Sequence, residues 1–161
     1  MKKFLILMTL LPGLSFATTT LEVAYLDMSI DGISDDPNGE GIAFTSTMGE
    51  SNNWQIGASF ANIEGFDGKA FSLDYGFSDF SEGTFYVGVI RSDSDLADSE
   101  TDIQIGYQKL AGEAGDWHIS LMDGEDDILV DVDFVIGPGI TLGFGTGDGV
   151  DVVKLGYRFV F

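Results

Sequence analysis

His118 is the only histidine of the 161-residue chain, and Ser120 stands two residues after it. In an extended strand that spacing puts both side chains on one face. A histidine and a serine completed by a carboxylate can carry out acyl transfer, the imidazole drawing off the hydroxyl proton and the acid orienting the ring. Two residues of such a motif constrain geometry very little. His118 is therefore read as a structural hydrogen-bond partner of Asp131 or Asp133, and no catalytic residue is assigned. Thiolate chemistry and disulfides are excluded, because the chain has no cysteine.

Other residues suggest cations. Asp93-Ser94-Asp95 and Asp123-Gly124-Glu125-Asp126-Asp127 could offer the several oxygen ligands that Ca²⁺ or Mg²⁺ requires. Neither has EF-hand spacing, and the plain reading is a solvated acidic loop. Gly147-Asp148-Gly149-Val150-Asp151 matches part of a glycine-rich calcium repeat, which works only in tandem; one copy is a hairpin loop. The metal content is left open, divalent cations at external loops are a possible partner, and no cofactor is expected.

These residues must be held by strands. Short segments of alternating polarity run from Leu21 to the last residue: Leu21/Val23/Tyr25, Trp54/Ile56/Ala58/Phe60, Phe71/Leu73/Tyr75, Ile103/Ile105/Tyr107, Val153/Leu155/Tyr157/Phe159 and others between them. Period two at this length predicts half-apolar strands, and no convincing helix appears after Ala17. The count is ten strands, with eight as the alternative.

The first 17 residues differ from the rest. Met1-Lys2-Lys3, the apolar run Phe4–Leu11, the break at Pro12-Gly13 and the small residues Ser15 and Ala17 make a secretory signal peptide with cleavage after Ala17. The run is too short for a membrane-spanning helix. One domain, residues 18–161, remains. Without Lys2 and Lys3 it carries five basic residues against 27 acidic ones. Such a surface repels nucleic acid, whose binding relies on Lys and Arg.

Two architectures suit the strands, a soluble sandwich with its apolar face inside and a membrane barrel with that face outside. The polar faces hold glycine, glutamine, serine and charge, which suit a lumen. Large aromatics (Trp54, Phe77, Phe85, Tyr107, Trp117, Phe134 and Phe159) fall near strand ends, as two interfacial girdles require. Connections also read as alternating long and short, with Asp concentrated in the long ones: residues 30–39, 64–68, 92–100 and 123–127 against 49–53, 79–83, 112–115 and 137–139. The expected fold is an all-β, closed, antiparallel transmembrane β-barrel with acidic external loops.

The ending Leu155-Gly156-Tyr157-Arg158-Phe159-Val160-Phe161 resembles the last strand of bacterial (Gram-negative) outer-membrane β-barrel proteins. The resemblance covers the mature chain in pattern and is residue-specific only here. It implies export to the outer membrane and recognition by the barrel-assembly machinery, with Tyr157, Phe159 and Phe161 as the assembly signal. His-x-Ser resembles outer-membrane lipid A deacylases in those two residues alone. Their site faces lipid, whereas here Trp117, Ile119 and Leu121 claim that face.

Closure would bring Glu22 and Arg158 together across the seam between first and last strands. Asp74, His118, Asp131, Asp133 and Lys154 are expected in the same lumen, with Gln55, Gln104 and Gln108. Gly143, Gly145 and Gly156 would leave room for the long bases. Buried charge needs partners, so a charge-filled plug is predicted. Arg91 is placed near the external interface, where it could meet lipopolysaccharide phosphate or snorkel. The function read from this is a structural or surface-interacting outer-membrane protein. The alternatives are a narrow, porin-like, cation-preferring channel and a lipid A-modifying enzyme.

Overall fold

A computed structural model describes residues 16–31, 37–49, 51–64, 66–95, 99–109, 116–123, 128–147 and 149–161. Ten strands follow one another: β1 Phe16–Ile30, β2 Asn38–Met48, β3 Trp54–Ile63, β4 Phe66–Gly76, β5 Thr84–Ser94, β6 Glu100–Gln108, β7 Trp117–Asp123, β8 Ile128–Val135, β9 Ile140–Gly147 and β10 Val150–Val160. Each pairs antiparallel with its sequence neighbours, and β1 pairs with β10 to close the barrel. The eight-strand alternative is set aside. Of the expected signal peptide, only the backbone of Phe16 and Ala17 lies within the described residues, at the start of β1.

Closure satisfies the backbone without any sheet edge, as lipid requires. The seam runs from Thr20 opposite Val160 to Ile30 opposite Val150. The amide of Phe161 donates to the Thr19 carbonyl at 2.8 Å, so the last residue is also tied to the first strand.

One parity holds round the whole barrel. Glu22 faces Ala43, Ala43 faces Ser59, Gln55 faces Asp74, Gly88 faces Gln104, His118 faces Asp133, Gly143 faces Lys154, and Arg158 faces Glu22. These positions point inward. The alternate positions carry Val23, Leu73, Val89, Ile105, Leu121, Leu142 and Leu155, large apolar side chains left exposed. An apolar exterior around a polar interior is the transmembrane arrangement. On β10 the band from Phe161 to Val153 covers about 27 Å of strand, or roughly 20 Å of height at the usual tilt.

Two expectations are corrected. The connections do not alternate long and short. At the end away from the termini, β3–β4 and β9–β10 are joined by residues 64–65 and 148–149 alone. At the terminal end, the links are 49–53, 77–83, 109–116 and 136–139. The acids assigned to long loops instead continue the ladders: Asp67 pairs with Asn62, Asp93 with Lys69, Glu100 with Ser92 and Asp151 with Ser29. Where strands rise beyond the apolar band, both faces meet water, so alternation fails while pairing persists. Residues 32–36, 96–98 and 124–127 of those segments lie outside the described residues, as do 111–115.

The seven aromatics expected at two interfaces also gather at one of them, while Tyr25, Phe144 and the Phe60–Phe71 pair at 6.0 Å lie on the outer face toward the other end. Trp54, Tyr75 and Phe77 pack in a chain of edge contacts at 5.0 and 6.1 Å. Phe85, Tyr107 and Trp117 continue it at 5.2 and 4.8 Å, and Tyr157 packs on Phe159 at 4.8 Å. All lie at the terminal end. The opposite end carries acids.

Candidate functional site

Strands β1, β8 and β10 turn charge inward at mid-height. Arg158 lies against Glu22, its Nε at 2.9 Å and a terminal nitrogen at 2.8 Å from Oε2. Lys154 Nζ reaches Glu22 Oε1 at 3.1 Å and Asp133 at 2.7 and 2.8 Å. Arg158 stands 4.0 Å from Asp133 as well. Two acids and two bases thus form a closed lattice across the seam. Glu22 is 5 % exposed and Asp133 7 %, so each charge depends on the others for the hydration it has lost.

Glycine makes the space. A Cβ at Gly143 would collide with Asp133 and come within 2.6 Å of Lys154 Cε. Gly156 differs from expectation: its missing Cβ leaves room for Thr141 and Ala24, while Gly145 is in ordinary contact distance of Asp131. Of the three expected glycines, only Gly143 makes way for a base.

His118 sits beside this lattice. Its Nδ1 is 3.4 Å from Asp131 Oδ2 and 3.8 Å from Asp133 Oδ2. Its Nε2 shares a 2.8 Å hydrogen bond with the Tyr86 hydroxyl, and the two rings stack at 6.0 Å. Ser120 is buried and bonds to that same hydroxyl. His118 and Ser120 are thus both committed to Tyr86 inside the lumen, turned away from lipid.

Asp74 departs from expectation. It was grouped with Lys154 and Arg158, but takes its hydrogen bond from Gln104 Nε2 on the other wall. Gln55 and Gln108 are buried near it. These residues, with Thr20, Ser72, Tyr86 and the lattice, line a residual cavity of about 160 Å³.

Sequence reasoning missed two parts of the closure. Tyr86 is one: it is buried on the inward face of β5 and holds His118. Phe80, in link 77–83, was read as turn; it is fully buried. Its ring is 6.1 Å from that of Tyr86 and would lie 3.0 Å from a Cβ at Gly76, both inward positions. The link therefore doubles back into the terminal mouth with Phe80 as a stopper. An apolar residue between Asp79 and Ser81 was the available signal.

No protein-family model and no curated protein matches the chain. Among solved structures, it is similar to Ail. Two crystal structures of this attachment invasion locus protein of Yersinia pestis match. The one in complex with the heparin analogue sucrose octasulfate is 15 % identical, covers 88 % of this chain and 98 % of its own, with a TM-score of 0.36. The other is 16 % identical over 90 % and 100 %, with a TM-score of 0.30.

Outside the lumen, Arg91 projects from β5 above the apolar band. It donates to Ser99 at 2.9 Å and Thr101 at 3.3 Å. Lys69 pairs with Asp93 at 2.6 Å on the same outer face. Tyr157, Phe159 and Phe161, expected to form an assembly signal, are exposed on the exterior.

Proposed function

We propose that this chain is an integral barrel of the bacterial outer membrane with a structural and surface-interacting role, its acidic end turned outward. One observation carries the reading. Among the described residues, the lumen is crossed by Glu22, Lys154, Asp133 and Arg158 and filled again at the terminal mouth by the buried Phe80, which supports a lumen closed to solutes. Work then falls to the outer surface and rim, where Asp27, Glu40, Asp67, Asp93, Glu100, Asp123 and Asp151 collect. The proposed partners are lipid and lipopolysaccharide around the apolar band and, at the rim, divalent cations. Insertion through the barrel-assembly machinery would use Tyr157, Phe159 and Phe161. No enzymatic role is proposed, because His118 and Ser120 are held inside by Tyr86.

Planar-bilayer recording tests this. The wild-type barrel is expected to give no steady conductance. Lys154→Ala with Phe80→Ala should open it, with steps favouring cations because acids then line the way. Steady cation-selective steps from the unaltered protein would make it a narrow porin-like channel.

A further inference from the structure

We infer that His118, Asp131 and Asp133 form a binding site for a divalent metal ion of the Zn²⁺ class, entered from the acidic end of the lumen.

Charge comes first. Facing one another inside the barrel are Glu22, Asp74, Asp131 and Asp133, with only Lys154 and Arg158 as permanent bases. With the His118 imidazole neutral, these four acids, of which Asp131 is partly exposed, outnumber the two bases by two charges. In a water-poor lumen such an excess must be met by protons or counterions. A proton on His118 makes up one of the two charges, and a single divalent ion in its place supplies both.

Geometry comes second. Each of the three residues offers one ligand atom, and these lie within 4.8 Å of one another. Nitrogen and oxygen ligands sit about 2.0–2.2 Å from Zn²⁺, so neighbours on a tetrahedral ion are separated by about 3.3–3.5 Å. His118 Nδ1 stands 3.4 and 3.8 Å from the two carboxylates. Those separations are long for a hydrogen bond and close to those set by a shared ion. A turn of the partly exposed Asp131 side chain closes the remainder.

Orientation comes third. A ligating imidazole is usually fixed by a hydrogen bond at its other nitrogen. Tyr86 provides it: its hydroxyl holds Nε2 at 2.8 Å and its ring stacks on the imidazole, leaving Nδ1 directed at the carboxylates. Ser120, on the same hydroxyl, steadies Tyr86 in turn.

Access comes last. Asp131 lines a cavity of about 450 Å³ with Leu26, Met122, Leu129, Val152 and Lys154. That cavity lies on the acidic side of the lattice, so an ion drawn by the rim reaches Asp131 without crossing the plug. Lys154 holds Asp133 in the meantime and would keep Glu22 as partner when an ion arrives.

The test is calorimetric titration of ZnCl₂ into the full barrel in detergent micelles. One saturable site per chain is expected. His118→Gln and Asp131→Asn should each weaken it by at least tenfold, and Tyr86→Phe by about tenfold. The double substitution of rim acids Asp27→Asn and Asp151→Asn should leave it unchanged. No saturable binding overturns the inference; so does binding that survives both ligand substitutions, or that is lost with the rim acids instead. Asp131 is partly exposed, so Asp131→Asn carries the test if His118→Gln fails to fold.

Discussion

Toward the chain termini the lumen is crossed by Arg158, Lys154, Tyr86 and Phe80. Toward the acidic rim, β1 to β4 turn inward Ala24, Leu26, Gly41, Ala61 and Ala70. The first half is packed, with Phe80, Thr141 and Ser120 at most 2 % exposed. The second is hollow: Leu26 and the small residues Ala24, Gly41, Ala61 and Ala70 line a cavity of about 370 Å³ whose floor is Glu22 and Lys154. One barrel thus builds a solid compartment, closed by long charged side chains and the folded-back link at Phe80, and an open one where small residues of β1–β4 face the lumen. In a barrel, backbone pairing holds the wall whatever lies inside. The packed half must therefore be explained by what it closes and which charges it holds, and the hollow half by what it admits.

The sharpest way to break the comparison is to remove one base from the packed half. Arg158→Ala leaves Glu22 buried with only part of its compensation, at a cost of about 3–5 kcal/mol. Urea unfolding of the barrel in lipid vesicles should show it. Replacing both partners by apolar residues, Glu22→Leu with Arg158→Met, should recover most of the loss, because an apolar substitute for a buried pair is often neutral. If Arg158→Ala unfolds like wild type, the lattice contributes no stability and the packed half is only a filler.

A second substitution pair compares the halves directly. Gly143→Ala drives a methyl into Asp133 and Lys154, and should cost about 1–3 kcal/mol, as overpacking does. Ala61→Val adds two methyls beside the 370 Å³ cavity and should stay within about 0.5 kcal/mol. Equal costs on the same urea assay would mean that the cavity is not available space.

How much of this was legible depended on which physical rule governed each residue. Glu22, His118, Asp133, Lys154 and Arg158 sit within the apolar band, where every second residue must be apolar; parity alone put them inside. Closure then set Glu22 opposite Arg158, because an even number of antiparallel strands brings the two ends together. Asp74 obeyed the same parity, yet its partner is Gln104, since position around the circumference is not written in alternation. The rim was misread for the opposite reason. Asp67, Asp93 and Glu100 resemble turn chemistry, but the β3–β4 link is only residues 64–65 and the β5–β6 pairing runs on to Ser92–Glu100, so their ladders continue into water. Phe80 escaped because link 77–83 is long enough to fold back, and nothing in strand periodicity describes a connection.

The smallest expected effect bears on how the packed half is capped. Phe80 stays in the terminal mouth because the link around it is tied down. Asp79 accepts from the Ser81 amide at 2.8 Å and the Ser81 hydroxyl at 2.7 Å on one oxygen, and from Asn52 Nδ2 at 3.0 Å on the other. The Phe80 amide in turn donates to the Asn52 carbonyl at 3.3 Å. Partial burial pushes the Asp79 carboxyl up, but the bonds from Ser81 and Asn52 outweigh it and hold the group below its ordinary value of 3.8. A carboxyl depressed on folding stabilises fully above its unfolded value and loses that contribution as pH falls through the folded one. The cap should therefore hold at neutral pH and loosen only below about pH 4. Asp79→Ala removes the ties at every pH and should cost about 1 kcal/mol, the worth of a few part-exposed hydrogen bonds. Its difference from wild type in urea should shrink as pH falls below 4, whereas Phe80→Ala should cost more and show no such dependence. A constant Asp79→Ala penalty down to pH 2 would mean that the carboxylate is not what holds the stopper in place.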